Sequence, residues 1–113
     1  MRRDEAVVLD IVEACRLIIE FRGSLNRAAF LKDLKTQSAV VHQLLIIGEA
    51  AKRLSDGFRS AHSDVPWRQV TGMRDRLIHM YDHVDLKEVW KTVTADIPVL
   101  LLRLEPLVPP RTS

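Results

Sequence analysis

An all-α fold, an antiparallel bundle of four or five helices, is what this 113-residue sequence predicts. Apolar residues recur at three- and four-residue steps through several long segments, the spacing of one helix face. Only four glycines occur, and the five prolines all lie at or beyond position 66. No stretch reads as a convincing strand, repeat or low-complexity segment. At 47% hydrophobic and 28% charged residues the composition excludes a disordered chain. Residues 1–105 are therefore expected to form one helical domain, and the remainder, PLVPPRTS over 106–113, a flexible tail.

The first helix is expected from about Asp4 to Arg22. Val8, Ile11, Val12, Cys15, Ile18 and Ile19 make its apolar stripe, and Gly23 ends it. Asn26 to Leu34 can form a short helix with Ala29, Phe30 and Leu34 on its apolar side. A long helix follows from about Thr36 to Leu54, carrying Val40, Val41, Leu44, Ile47, Ala51 and Leu54, with Ser55, Asp56 and Gly57 closing it. Gly48 lies inside that helix at a cost of roughly 1 kcal/mol relative to alanine, which points to close approach by another helix or protomer.

Residues 57–66 read as a loop, and Pro66 can start a turn around Trp67, a core anchor in preference to a base-stacking platform. Gly72 breaks the chain again. Farther on, Asp85 and Glu88 have capping-box spacing. Leu86, Val89, Trp90, Val93, Ile97, Leu100, Leu101 and Leu104 then form the strongest stripe in the chain. Pro98 interrupts it, so the sequence predicts a kink or a restart capped by Asp96.

A formal charge of +2 does not announce a nucleic-acid binder. Cationic residues do crowd the middle of the chain: Lys52, Arg53, Arg59, Arg68, Arg74 and Arg76, with His42, His62, His79 and His83 in the same half. The lone Cys15 excludes an intrachain disulfide and suits a reducing compartment. Asp4, Glu5, Asp10 and Glu13 interrupt the N-terminal apolar run, so it reads as an amphipathic helix instead of a signal peptide, and no uninterrupted run approaches membrane-spanning length. A cytoplasmic protein without a membrane partner is the expectation.

The segment RDRLIHMY, Arg74 to Tyr81, carries more polarity than a core helix needs. A guanidinium can hold two phosphate oxygens while staying charged, and a histidine, with an ordinary pKa near ~6.5, exchanges protons at neutral pH. Together they suit cleavage of an RNA phosphodiester, where the neighbouring 2′-hydroxyl can attack and no metal or protein nucleophile is required. Asp75 can orient either partner or simply place a negative charge near a helix N-terminus. Glu49, beside an apolar face, is either solvent-exposed or a partner for an arginine. His79 and His83 also have the four-residue spacing of a helical zinc pair, but Met80 stands where the metalloprotease motif needs glutamate. On an ideal helix Arg74 and Tyr81 nearly superimpose, about 20° apart, whereas His79 lies about 140° from Arg74. One straight helix does not aim all three at one point.

The run PWRQVTGMRDRLIHMYDHVD, preceded by LLIIGEAAKRLSD and followed by DLKEVWKTVTADIPVLL, closely resembles the HepT-like branch of the HEPN superfamily. The resemblance extends from the first helix to about Leu102. Arg74, Asp75, His79 and Tyr81 match the family pattern of arginine, polar residue, spacer, histidine, any residue, tyrosine. Asparagine is frequent where Asp75 stands. Ile47 to Ala50, IGEA, is a second shared motif.

This resemblance implies a homodimeric, metal-independent ribonuclease toxin without cofactor, with Arg74 and His79 catalytic in a cleft at the dimer interface. It implies RNA as substrate and a minimal nucleotidyltransferase antitoxin that silences the nuclease by transferring AMP to Tyr81. The alternatives are a noncatalytic subunit that binds nucleotide or substrate for a nucleotidyltransferase, and a purely structural helical dimer.

Overall fold

The computed structural model describes residues 3–80 and 83–109. Among them, eight α-helical segments build the fold, three of them surrounding most of the core. Helix α1, Arg3–Arg22, buries Val7, Val8, Ile11, Val12, Ala14, Cys15 and Ile18. Ile19, expected on this stripe, is instead 39% exposed, because the packed face is narrower than the run of apolar residues. Gly23 ends the helix at φ +54°, a left-handed conformation that glycine adopts without steric cost. Burial pushes the Cys15 thiol up to about 12, so it packs as a small neutral hydrophobe.

Helix α2, Arg27–Phe30, is a single turn whose cap, the Asn26 side chain, accepts a hydrogen bond from the Ala29 N–H. Its Phe30 is fully buried and lies 5.3 Å from the Trp90 ring, over which the Arg22 guanidinium sits at 5.0 Å. Helix α3, Leu34–Lys52, starts two residues earlier than the sequence suggests, because the Asp33 carboxylate caps Thr36 through both its N–H and its hydroxyl. These two bonds hold the Asp33 carboxyl below its ordinary range. Leu34, assigned to the apolar side of the preceding helix, belongs to α3 and is 74% exposed.

The expected loop at 57–66 is corrected in its first half, which forms helix α4, Asp56–Ala61. Ser55 caps it by accepting from the Phe58 N–H, while Asp4 of α1 accepts from both the backbone N–H and the hydroxyl of Ser55. Phe58 then stacks on His62 at 4.4 Å and meets the Trp67 edge at 6.1 Å. Trp67 opens helix α5, Trp67–Thr71; it is 8% exposed and its indole N–H donates to the His62 carbonyl at 2.9 Å, so it is the expected core anchor.

Helix α6, Met73–Leu77, follows Gly72 at once. The chain then turns extended. Strand β1, Ile78–Met80, pairs antiparallel with strand β2, His83–Val84, in a register of Ile78 with Val84 and Met80 with His83. This ribbon corrects the expectation of a chain without strands. Helix α7, Leu86–Lys91, begins at the expected Asp85 cap, whose carboxylate accepts from the Glu88 N–H at 3.1 Å.

Around Pro98 the chain neither breaks nor restarts from a capping side chain. Thr92–Asp96 widen into a π turn, in which the Ile97 N–H reaches back to the Thr92 carbonyl, and helix α8, Ile97–Leu104, continues. Proline lacks the N–H that an α-helix would use here, and its ring crowds the carbonyl four residues back; one wide turn relieves both. Asp96 makes no capping hydrogen bond, so the capped restart is corrected. Of the expected tail, Pro106 and Leu107 lie in the 3₁₀ turn Glu105–Leu107, and Val108 packs on the core. Residues 110–113 fall outside the described chain. No helix among the described residues is long and apolar enough to cross a membrane.

Candidate functional site at the α6–ribbon junction

Met73 and Leu77, four residues apart, are the inward side of α6, at 2% and 0% exposure. That fixes the rest of the turn. Arg74 and Asp75 point to solvent, and neither makes a hydrogen bond or ion pair among the described residues. Arg76 is half-buried and leans toward the π turn. Its guanidinium donates to the Gln69 carbonyl and the Thr92 hydroxyl, each at 3.4 Å, and stands 3.8 Å from the Asp96 carboxylate. Two arginines that look alike in the sequence thus differ: Arg76 ties α6 to the Pro98 region, and the donors of Arg74 have no partner among the described residues.

His79 lies on strand β1, not on the helix that carries Arg74. The angular mismatch of one straight helix disappears, because α6 ends at Leu77 and the next residue is extended at φ −118°, ψ 106°. The Asp85 N–H donates to the Leu77 carbonyl at 2.9 Å and closes this junction. The same change removes the helical zinc pair: His79 and His83 sit on two antiparallel strands. Among the described residues no group of three His, Cys, Asp or Glu side chains could hold a metal ion. Tyr81 lies outside the described residues.

Gly48 places α3 beside this site. A Cβ there would meet the Val70 carbonyl at 3.5 Å and the Met73 Cβ at 3.7 Å, so α3 carries the start of α6 directly on its surface. Both distances are ordinary contacts. Gly48→Ala is therefore expected to fold normally and gain up to roughly 1 kcal/mol from helix propensity. Gly48→Leu should lose about 1–3 kcal/mol by displacing α5 and α6. Urea unfolding of the two variants checks both signs. The neighbouring Glu49 is exposed, and its carboxylate accepts from Lys52 at 3.3 Å; no Arg74–Glu49 pair is present among the described residues. That surface pair is worth at most about 1 kcal/mol, so it leaves Glu49 easily redirected.

One feature was not legible from the sequence. A cleft of about 540 Å³ opens between the outer face of α3 and strand β2, with His42 on one wall and His83 on the other. His42 stood in the sequence only as one of a crowd of cationic and histidine residues. Val41, expected on the buried stripe of α3, is only half-buried and packs at the edge of the core, and Leu45 beside it is also half-buried.

Comparison with known proteins places these residues in a family context. A family model described as ribonuclease HepT-like matches residues 11–107, which include Arg74, His79 and Tyr81. A protein of Thermococcus cleftensis named "Probable ribonuclease HepT" is 48% identical over 98 residues, spanning 87% of this chain and 89% of its own. A Caldanaerobacter subterraneus protein named as a putative RNase is 42% identical over 90 residues, 80% of each chain. No solved structure matches.

Proposed function

This chain belongs to the ribonuclease HepT-like family, and from that membership we propose that it is a metal-independent endoribonuclease, the toxin of a toxin–antitoxin pair. The observation that carries the reading is Arg74, exposed and without a partner among the described residues, one short turn before a strand that bears His79. Arg74 neutralises charge developing on the phosphoryl oxygens, and His79 takes the proton from the attacking 2′-hydroxyl. The leaving 5′-oxygen needs a proton in turn, and His79 of a second subunit supplies it in a cytoplasmic homodimer. The products are a 2′,3′-cyclic phosphate and a free 5′-hydroxyl. Asp75, near the start of α6, and Glu49, next to the Gly48 contact on α3, support this pair by orienting it.

The test is incubation of the purified protein with RNA in excess EDTA. Cleavage with cyclic-phosphate ends is expected; 5′-phosphate ends would overturn the scheme. Uncut RNA together with tight AMP or ATP binding would instead favour a noncatalytic nucleotide-binding subunit.

The partner is a minimal nucleotidyltransferase that transfers AMP from ATP to the Tyr81 hydroxyl, which loses its proton as pyrophosphate leaves. The added phosphate brings a negative charge and a bulky base beside Arg74 and His79, repelling RNA and filling its place. Coexpression with the cognate transferase should add one AMP mass to the wild-type protein and none to Tyr81→Phe, which should then resist silencing. AMP on another residue, with Tyr81→Phe still silenced, would defeat this assignment.

A further inference from the structure

The cleft between α3 and β2 adjoins the strand pair that carries His79, since its His83 and Val84 are the register partners of Met80 and Ile78. Its walls are Val41 and Leu45 from α3 and Val84 from the ribbon. Its polar residues are Gln37, whose amide N–H donates to the Phe30 carbonyl, with Ser38, His42 and His83, and among the described residues no lysine, arginine, aspartate or glutamate lines it. A phosphate would find no fixed cation there, and a charged peptide no counter-charge. A nucleobase is different: its faces are apolar and its edge carries neutral donors and acceptors, which hydroxyl and imidazole groups match. A volume of about 540 Å³ accommodates one base with its ribose.

We propose that this cleft holds one unstacked nucleobase of a single-stranded RNA, the base adjoining the scissile phosphate. The apolar walls take its faces, and His42 and Ser38 take its edge. Arg74 then serves the phosphate and the cleft serves the base, so cleavage would favour unpaired RNA, since a paired base cannot enter. This rests on the ribonuclease reading above.

The experiment measures fluorescence anisotropy of a labelled short 2′-O-methyl RNA, which has no 2′-hydroxyl nucleophile, against the wild type, His42→Ala, Val41→Trp and Arg74→Ala. His42 is exposed and Val41 half-buried, so His42→Ala removes an edge contact without touching the core, and Val41→Trp fills the cleft. Each is expected to weaken binding about tenfold, the loss typical of one base contact, with subunit mass by light scattering unchanged. Unchanged binding in both, with binding lost in Arg74→Ala, would overturn the base site and leave the ribonuclease reading standing. A change of subunit mass in both would also overturn it, marking the face as a contact between copies. Failure of the wild type to cut any RNA in EDTA would sink the ribonuclease reading itself, and is read separately from these binding data.

Discussion

Replacing His79 with alanine is expected to lower RNA cleavage by about 10²–10⁴-fold, the range for losing a positioned general base. Arg74→Ala should cost about 10²–10³-fold, the range for removing one group that stabilises charge developing in the transition state. The two variants should differ in substrate dependence. In the proposed mechanism Arg74 acts on the phosphate before and during the reaction, so its loss is expected to raise KM as well as lower kcat. In the same mechanism His79 acts only on the proton in flight, so its loss is expected to fall mainly on kcat. Folding gives a clean control for Arg74: its side chain is exposed and unpaired among the described residues, so the unfolding free energy from urea titration should stay within about 0.5 kcal/mol of the wild type. Gel assays of a labelled RNA, at several concentrations and in EDTA, read both constants. Full activity in Arg74→Ala would remove this residue from the mechanism.

Arg76→Ala supplies the contrast. That side chain holds α6 to Thr92 and Asp96 through long contacts of 3.4 and 3.8 Å, so its loss acts on position and not on charge at the phosphate. Sequence alone could not separate the two arginines, because an even spacing of two residues says only that they point to different sides. Which side meets solvent was decided by Met73 and Leu77, whose burial is a property of the packed fold.

The long helices were legible for the opposite reason. The stripes of α1, α3 and the α7–α8 run are periodic over many residues, and their ends carry local chemistry: Gly23 in a left-handed turn after α1 and Asp85 at the cap of α7. The Gly48 contact was legible too, since a glycine inside a helix needs a packing reason. What stayed hidden depends on distant partners. Helix α4 is held by Asp4, 51 residues away in sequence, through its two bonds to Ser55. Between Gly72 and Pro98 there is no glycine or proline to stop a helix, yet α6 ends at Leu77 because the strand pair and the Asp85 N–H claim the following backbone. The candidate site was therefore readable as residue types and not as geometry: Arg74 and His79 were named, but the helix-to-strand step between them was not.

That step makes Leu77 the residue on which stability and activity should meet. Its side chain is fully buried at the last position of α6, and its carbonyl accepts the hydrogen bond that closes the ribbon. Leu77→Ala is expected to cost about 2–5 kcal/mol, from lost burial and the cavity left beneath the junction. A domain of this size typically has about 5–15 kcal/mol to lose, so the variant should still fold in the cold. Its urea midpoint should fall with little change in slope, as for a simple loss of stability. Activity is expected to fall further than the folded fraction does, because relaxation into the cavity moves Arg74 relative to His79, and a shift of about 1 Å can cost on the order of 10²-fold. Ile18→Ala is the comparison: it is equally buried, but in α1, which packs chiefly on α3 and α8. Its destabilisation should be similar, with activity per folded molecule near that of the wild type. Equal activity per folded molecule in the two variants would show that the junction beneath Leu77 does not set the spacing of the arginine and the histidine.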